Sequence, residues 1–503
     1  MTDFLAGYNL NIMMILLCPM VGGVLVTLLK SKRRIEVITV VATGLILIQS
    51  FSLVGNVLDN KHIEAFDGIF YVDSLGVLLL VLISGVVFMA ALYSINYMGR
   101  QYHNGILDDR HLLRYYQAFN MFALTMILVP LANNMGLLWV AVEATTLVSV
   151  LLIMLYVKET AIEASWKYLI VATVGLSLAL FGIVLYYYAN VVSDPTGSND
   201  DKMNWTVMMK NAKLFDPDIV KIGFIFILIG LGTKAGLAPM HTWLPDAHSE
   251  APTPISALLS GVLLNCAIYG IIRFYLIGHL VLGDGFLNTL LMIIGIISVG
   301  IAAASIYFQK DLKRMLAFSS IEHMGLVSLS IGFGGLFGIY GAILHIVNHA
   351  ITKPLMFFAS GTISQKYETK TISEIKGVIK TMPLTSMFVL IGTLSIVGLP
   401  PFNIFMSEFF ILSSGFSSSQ YLAIFLVISF LLVIFASFMK HSLGMIFGSP
   451  KKQISRGDLG ILSIVPMAIL AALTIILGFY VPEPLRQLTG NIVQMFGDKI
   501  INV

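Results

Sequence analysis

The stretch GLGTKAGLAPMHTWLPDAHSEAPTP, from Gly230 to Pro254, places a lysine and four prolines between two long apolar runs. Proline removes a backbone donor and clashes with the preceding turn of a helix. Non-helical backbone at membrane depth is tolerated only where it is buried in protein or lines a water-filled cavity. The stretch therefore predicts a membrane helix that is broken around Gly236 and Pro239, with Lys234 beside the break.

The composition of the chain is that of a membrane protein. Of its 503 residues, 57% are hydrophobic and 11% are charged, and the mean hydropathy is +0.89. A soluble protein carries roughly 25% charged residues. The two cysteines, Cys18 and Cys266, are too few for an iron–sulfur cluster, which needs about four thiolates. Because the sequence also has no nucleotide-binding loop and no zinc pattern, we expect neither a cofactor nor a metal in this chain.

Fourteen segments of the sequence are long and apolar enough to cross a membrane, for which about 20 residues are needed. They lie near residues 9–29, 35–55, 73–97, 115–133, 136–157, 165–190, 219–249, 254–279, 286–308, 313–333, 336–361, 382–415, 420–446 and 459–481. The seventh and the twelfth are too long for one span and contain Gly and Pro. The predicted fold is an all-α polytopic membrane protein with about 14 transmembrane helices, of which helices 7 and 12 are discontinuous.

The basic residues predict the orientation of these spans. Loops after spans 1, 3, 5, 9, 11 and 13 hold 20 of the 30 Lys and Arg residues, whereas the even loops hold five. Because an excess of Lys and Arg marks cytoplasmic loops, the odd loops are expected in the cytoplasm. Both termini are then expected on the outer face of the cytoplasmic (inner) membrane, and the long polar segment 193–218 is an outer loop.

The motif VGLPP, which ends in Pro400 and Pro401, predicts the second helix break and lies shortly before Glu408. Spans 4–8 and 9–13 each contain five helices with the break in the fourth, and they begin on opposite sides of the membrane. Paired interruptions of this kind indicate a transport site. We therefore divide the chain into an N-terminal three-helix segment (1–114), a first five-helix repeat (115–279), an inverted second repeat (280–446), and a C-terminal helix and tail (447–503).

Several ionisable side chains lie inside the predicted spans, where a charge costs at least a few kcal/mol and indicates function by default. They are Glu143, Lys234, Arg273, Glu322, His323, His345, His349, Lys353 and Glu408. Taken singly, each fits a structural ion pair or a packing role as well as a functional one. Arg273 is expected to extend outward toward the interface. Removal from water disfavours the charged forms of lysine and carboxylate, so Lys234 paired with Glu143 is expected to act as a proton switch.

Four segments resemble the signature motifs of the antiporter-like, proton-translocating subunits of respiratory complex I, group 4 membrane-bound hydrogenases and Mrp antiporters. The segments are TKAGLAPMHTWLPDAHSEAPTPISALLSG, DLKRMLAFSSIEHMG, NHAITKPLMFFASG and GLPPFNIFMSEF. The resemblance implies fourteen helices with an inverted five-helix repeat. It also implies that the proton path runs through Glu143, Lys234, His323, His349, Lys353 and Glu408.

One position departs from many complex I members, which carry a central lysine where this sequence has Asn265. Asparagine does not accept and pass on a proton as lysine does, so the relay must continue through water or histidine. Asn265, Glu322 and the SEF motif together are similar to the hydrogenase 4 component F type. The resemblance places His241, Asp246 and His248 in a cytoplasmic proton entrance or a tight cap, although the two histidines also suit a metal.

The function that the resemblance implies is that of a non-catalytic, proton-translocating subunit in a redox-driven oxidoreductase complex. Its partners would be other membrane subunits, including a further antiporter-like subunit or the anchor of the redox arm. Those partners would carry the iron–sulfur clusters and the NiFe centre or flavin, and no nucleic acid is involved. Two alternatives stay open, a Na⁺/H⁺ antiporter subunit of the Mrp type and, more remotely, a haem-binding electron carrier that uses His345 and His349.

Overall fold

The structure is a computed structural model that describes residues 8–29, 31–194, 201–450 and 454–497. The described part is built almost entirely of α-helices. They are α1 (Asn9–Leu28), α2 (Lys32–Asn60), α3 (Ser74–His103), α4 (Asp109–Leu131), α5 (Met135–Ile153), α6 (Glu159–Ser193), α7 (Trp205–Asn211), α8 (Pro217–Ala235), α9 (Trp243–Glu250), α10 (Thr253–Leu258), α11 (Leu264–Leu282), α12 (Gly285–Phe308), α13 (Leu312–Phe333), α14 (Gly335–Tyr367), α15 (Val378–Thr381), α16 (Pro383–Ile396), α17 (Asn403–Ser417), α18 (Tyr421–Phe447), α19 (Ile461–Phe479) and α20 (Glu483–Met495).

Twelve helical segments in the described part are long and apolar enough to span a membrane. They are α1 to α6, the combined segment α10–α11, α12 to α14, α18 and α19. A π-helical turn, Leu259–Leu263, joins α10 to α11. The protein is therefore an all-α, multi-pass membrane protein. The two predicted spans outside this set, 219–249 and 382–415, are the two that the structure breaks into shorter helices.

The two breaks share a local pattern. Helix α8 ends at Ala235, Gly236 has a φ of 75°, and the Ala238–Pro239 peptide is cis. Helix α16 ends at Ile396, Gly398 has a φ of 65°, and the Pro400–Pro401 peptide is cis. In each break a glycine in the left-handed region, which L-residues rarely adopt, ends the first half-helix, and the proline follows three positions later. The chain resumes as α9 and α17.

The centre of the bundle is formed by α10–α11, α13 and α14. The first two of these segments are buried along almost their whole length, whereas only about a third of α1, α2 and α18 is buried within the chain. Apolar residues also cover the outward faces of these peripheral helices, as expected where lipid replaces water. The ionisable side chains predicted from the sequence lie mainly on the central helices and on the two broken ones.

Three small elements lie outside the spans. A β-hairpin, β1 (His62–Ala65) and β2 (Phe70–Asp73), pairs His62 with Asp73 and connects α2 to α3. Helix α7 lies in the predicted outer loop. Helix α20 was not predicted; it has one polar face and buries Leu488, Ile492 and Val493 against its neighbours.

The predicted orientation includes residues that lie outside the described part. These are both ends of the chain, residues 1–7 and 498–503, and the basic residues Lys30, Lys451 and Lys452. The placement of the termini on the outer face, and the division into segments 1–114, 115–279, 280–446 and 447–503, therefore stay predictions.

Candidate functional site

Lys234 lies at the end of α8, in the last turn before the break, and its side chain is completely buried. Its Nζ atom donates hydrogen bonds to Thr146 Oγ1 at 2.7 Å and to Tyr168 OH at 2.6 Å. The ammonium group also lies 4.9 Å from the centre of the Tyr168 ring, within the range of a cation–π interaction. Tyr168 stacks on Trp243, the first residue of α9, with ring centres 4.4 Å apart. The break thus folds its second half-helix against the partner of the lysine.

Protein groups satisfy much of the backbone that the first break frees. The Trp243 indole N–H donates to Thr233 O at 2.8 Å, and Leu237 N–H donates to Gly232 O at 2.9 Å. Ala238 N–H donates to Ser298 Oγ at 2.9 Å. These bonds are needed because unpaired backbone groups are costly away from water. The Gly232 and Thr233 carbonyls at the break are therefore bonded within the chain.

Glu143 does not form the predicted direct ion pair with Lys234. Within the described residues, no ion pair of 4.0 Å or less joins them, and the half-buried Glu143 instead accepts a hydrogen bond from Thr173 at 3.1 Å. The reason is a competing partner, because Thr146 lies one helical turn after Glu143 on α5 and takes the lysine. The second carboxylate oxygen of Glu143 is buried without a hydrogen-bond partner.

Lys353, on α14, repeats this arrangement. Its buried ammonium group donates to Ser319 Oγ and, at 3.4 Å, to Leu316 O, both on α13. Glu322 lies one turn after Ser319 on the same helix. Lys234 and Lys353 therefore each donate a hydrogen bond to a hydroxyl group, and a glutamate lies one helical turn from that hydroxyl residue.

A directional hydrogen-bond chain runs from α13 through α14 to α17. His323 Nδ1 lies 2.9 Å from His345 Nε2, and His345 Nδ1 lies 3.0 Å from Ser407 Oγ. The Ser407 hydroxyl donates its single proton to Ile404 O at 2.8 Å. It must therefore accept from His345 Nδ1–H, so that His345 Nε2 accepts from His323 Nδ1–H. The remaining nitrogen, His323 Nε2, then carries a free lone pair.

His323 lies in a cluster with two carboxylates. One ligand atom each from Glu322, His323 and Glu408 lies within 4.8 Å of the others, and all three residues are buried. Glu322 Oε2, His323 Nε2 and Glu408 Oε1 have no hydrogen-bond partner. The cluster joins α13 to α17, on the far side of the second break.

The second break is held against α14 by Asn403. The Asn348 side chain donates to Asn403 O at 2.7 Å, and Asn403 Oδ1 accepts from Ser395 at 2.8 Å. Asn348 also donates to Ser407 Oγ at 3.2 Å. These bonds fix the start of α17 and, with it, the position of Glu408 one turn further on.

His349 and His248 are fully buried, and none of their ring nitrogens has a hydrogen-bond partner. The ring of His349 lies 5.5 Å from that of His323, whereas His248 stacks on Phe357 at 4.9 Å. Buried polar atoms of this kind usually bond ordered water. His349 therefore extends the histidine chain of α14, and His248 lies apart from it on α9.

The predicted entrance residues occupy different environments. Asp246 bridges Arg314 of α13 at 2.5 Å and Lys167 of α6 at 3.4 Å, so it ties α9 to both predicted repeats. His241 is half-buried, and its Nδ1 atom has no partner. Among the described residues, no hydrogen bond or ion pair joins His241, Asp246 and His248 to one another.

Asn265 is the second residue of α11, two positions after the π-helical turn. Its amide donates to Gly261 O at 2.8 Å, and its oxygen has no partner. A cavity of about 10 Å³, lined by Asn265, Tyr269 and apolar residues of α3 and α14, adjoins it. That volume corresponds to about one water molecule. The π-helical turn, a feature frequently found at functional sites, was not predicted from the sequence.

Arg273 does not extend outward as predicted. It is buried and forms two hydrogen bonds with the Asp73 carboxylate, at 2.6 and 2.8 Å. It also donates to Tyr269 OH at 2.8 Å, and its guanidinium group lies 4.3 Å from the Trp205 ring centre. The prediction failed because Asp73, which is 200 positions away in the chain, supplies a buried counter-charge.

Sequence reasoning missed the neutral partners in the site, which are Thr146, Tyr168, Ser319, Ser407 and Asn403. Three of them lie within one helical turn of a predicted ionisable residue, which is a signal that the sequence does contain. The haem alternative is weakened by the same contacts, since both ring nitrogens of His345 are engaged.

Comparison with protein families matches residues 132–434 to the model described as NADH:quinone oxidoreductase/Mrp antiporter, transmembrane. The chain belongs to this family. Residues 65–116 match a second model, the N-terminal part of chain 5 of complex I (NADH-ubiquinone oxidoreductase). The protein is thus an antiporter-like membrane subunit of the group that includes complex I, hydrogenase and Mrp proteins, a family whose members are typically free of cofactors.

Among curated relatives, the chain is 38% identical over 443 residues to the hydrogenase-4 component F homolog of Methylacidiphilum infernorum (isolate V4). The match covers 88% of this chain and 91% of that protein. The resemblance to the hydrogenase-4 component F type that the motifs indicated is thereby confirmed.

Two solved structures have the same fold as this chain, and each match covers 96% of this chain and 97% of the matched chain. One is a chain of the membrane-bound sulfane sulfur reductase, an archaeal respiratory membrane complex, with a TM-score of 0.85 and 27% identity. The other belongs to the Mrp complex from Dietzia sp. DQ12-45-1b, with a TM-score of 0.84; at 20% identity it shows the fold alone. Both matches are subunits of multisubunit membrane complexes.

Proposed function

We propose that this chain is the proton-translocating subunit of a redox-driven membrane complex of the group 4 hydrogenase or formate hydrogenlyase type. The observation that carries the proposal is the pair of buried lysines, each bonded to a hydroxyl group with a glutamate one helical turn away. Such a lysine has two alternative partners, which is the requirement for a switch. The partner subunits would carry the iron–sulfur clusters and the NiFe centre or flavin.

At the first site, the switch would work by exchange of the partner of Lys234. In the structure the buried ammonium group is bonded to Thr146 and Tyr168, which are both neutral. Glu143 lies about one helical turn before Thr146, which corresponds to a rise of about 4.5 Å along α5. Movement of the ammonium group to Glu143 would hold the proton, and its return to Thr146 would release it toward the centre of the bundle.

The central part of the path would run through Asn265 and the histidine chain. Asn265 cannot itself carry a proton, but the adjoining cavity has room for about one water molecule. Beyond it, His323 and His345 offer imidazole groups whose hydrogen bonds already have a direction, and the ring of His349 lies 5.5 Å from that of His323. Lys353, Glu322 and Glu408 would complete the route at the second break.

The proposed architecture is fourteen spans, with inverted repeats over residues 115–279 and 280–446. The matching glycine and proline positions of the two breaks support this assignment, since Gly236 and Pro239 have the same spacing as Gly398 and Pro401.

Glu143 is only half-buried in the chain, and the exposed Val140 and Leu147 flank it. A neighbouring membrane subunit that covers this face would supply the electrostatic trigger.

The test is substitution of Lys234 by Ala and of Glu143 by Gln in the intact complex, with proton uptake into vesicles measured during electron transfer. Both variants are expected to lose coupled proton transport while the redox reaction continues. The matched control is Lys221→Ala, because Lys221 lies on the same helix in an exposed pair with Asp218. Normal proton transport by both the Lys234→Ala and the Glu143→Gln variants would refute the proposal. The redox partner is identified separately, from the proteins that co-purify with the chain.

A second candidate is sodium/proton exchange, which the approach of the Glu322 and Glu408 carboxylates favours because Na⁺ binds hard oxygen ligands. Proton transport in vesicles without sodium separates the two candidates. We expect transport to persist; a strict requirement for sodium would support the exchange reaction instead.

A further inference from the structure

We propose that Glu322, His323 and Glu408 bind one divalent transition-metal ion of the zinc class, and that the bound ion blocks proton transfer through His323. The second half of this proposal rests on the proposed function, whereas the first half does not. Nothing in the spacing of these residues indicates a metal site, since Glu408 is 86 positions after Glu322. The fold alone brings the three together.

The ligand types and their separation suit such an ion. Zinc binds imidazole nitrogen and carboxylate oxygen at about 2.0–2.2 Å, and the ligands of a tetrahedral site then lie about 3.4 Å apart. In the structure the three ligand atoms lie within 4.8 Å of one another. Rotation of the two glutamate side chains would close the difference, and an oxygen from water would complete four-fold coordination. Sodium is a poorer fit, because it has little affinity for an imidazole nitrogen.

The hydrogen-bond chain behind His323 prepares its ring for a metal. A ligating histidine usually donates its other N–H to a partner that fixes the tautomer. Here His323 Nδ1–H faces His345 Nε2, and that arrangement is set in turn by Ser407 and Ile404 O. The lone pair on Nε2 is therefore left free for a ligand. This atom is completely buried and has no other partner.

The second helix break provides the space that the Glu408 side chain occupies. A Cβ atom built on Gly398 would lie 1.9 Å from Glu408 Oε2, so the carboxylate occupies the space that any other residue would fill there. The other oxygen, Oε1, is buried without a partner. Glu322, His323 and Glu408 each carry one buried atom without a hydrogen-bond partner, and ligand atoms of the three side chains converge within 4.8 Å.

The test of binding uses the purified full-length chain with Zn²⁺, and with Co²⁺ as a spectroscopic probe. We expect one tightly bound Zn²⁺ per chain by elemental analysis, a Co²⁺ absorption spectrum typical of tetrahedral N/O ligation, and thermal stabilisation by the metal. Glu322→Gln and His323→Gln are expected to lose the bound ion. Ser407→Ala removes the hydroxyl group that accepts from His345 Nδ1–H and is expected to weaken binding about 10- to 100-fold. The control is His111→Gln, at an exposed His–Asp pair 2.8 Å apart.

The test of inhibition measures proton transport by the complex in vesicles with Zn²⁺ and then with a chelator. Reversible inhibition that Ser407→Ala weakens to the same degree as binding would support the proposal. Zinc stoichiometry unchanged in Glu322→Gln and His323→Gln would overturn the site. Site-dependent binding without inhibition would overturn the blocking role. Binding is measured without transport, so normal transport by Lys234→Ala would refute the proposed function and leave the metal site standing.

Discussion

Arg273 and Asp73 show how a single buried charge determines its surroundings. Both side chains are buried, and the two hydrogen bonds between them use both carboxylate oxygens and two guanidinium nitrogens. Arg273 also lies against the rings of Trp205 and Tyr269, which ties α11 to the loop that carries α7. Asp73 caps the start of α3 through Gly76 N–H. One ion pair thus connects the hairpin, the outer loop and the central helix.

Asp73→Asn should strongly destabilise the protein, because it leaves the Arg273 charge buried without a counter-charge. Removal of one partner from a buried pair costs about 3–5 kcal/mol. Asparagine still caps a helix, so the loss reports the charge rather than the cap. Thermal unfolding of the detergent-solubilised chain measures the effect. Glu483→Gln, at the exposed pair with Arg486, serves as the control and should change stability by less than about 1 kcal/mol; equal losses in both variants would contradict the argument.

The broken helices place function where backbone geometry is least regular. In the first break, Trp243 caps a carbonyl of α8 and stacks on Tyr168, which holds Lys234. In the second, Asn403 fixes the start of α17, and Gly398 leaves room for the Glu408 carboxylate. A continuous helix would satisfy the same backbone groups internally but would leave no turn on which to seat these partners.

Gly398→Ala should abolish proton transport. The substitution introduces a side chain at a φ of 65° and also displaces Glu408, whose Oε2 lies 1.9 Å from the new Cβ position. Gly283→Ala serves as the control for positive φ, because Gly283 has a φ of 65° and a ψ of −161° with no atom within 4 Å of the Cβ position. The conformational cost alone is about 1–2 kcal/mol. Vesicle transport assays of both variants decide the matter: loss in Gly283→Ala as well would attribute the effect to backbone strain.

At the scale of the molecule, Lys234, Lys353 and Asn265 are all buried within the bundle. Two acidic residues of α9, Asp246 and Glu250, form ion pairs with basic side chains of both predicted repeats. These are Lys167 of the first repeat and Arg314 and Lys370 of the second. These contacts lie on the face that the positive-inside rule assigns to the cytoplasm. These ion pairs link the two predicted repeats at one surface.

The predicted orientation is tested by single cysteines in a background in which Cys18 and Cys266 are replaced. Glu64→Cys in the hairpin should react with a membrane-impermeant thiol reagent in intact cells. Asn104→Cys in the loop after α3 should react only after permeabilisation. Both positions are exposed, so reactivity reports the side of the membrane. The opposite labelling pattern would invert the orientation and move both termini to the cytoplasm.

The positions of the relay residues could be predicted from the sequence to a large extent, since a charge within an apolar span is conspicuous. Their partners could not. Thr146, Tyr168 and Ser407 are ordinary residues in helical segments, and only the packing of α5, α6 and α17 gives them lysine or histidine neighbours. The predicted Glu143–Lys234 contact was wrong for this reason, since Lys234 bonds Thr146, one helical turn after Glu143 on α5.

Hydrophobic length and the cost of unpaired backbone in lipid act along the chain, so the sequence by itself determined the spans, the two breaks and the membrane class. Contacts between helices depend on which faces meet, and apolar faces are nearly equivalent in lipid. Only the tertiary structure therefore decided that Arg273 is neutralised by Asp73, that His323 presents a free nitrogen, and that Glu322 and Glu408 converge on it. Those are the features from which the proton switch and the metal site are inferred.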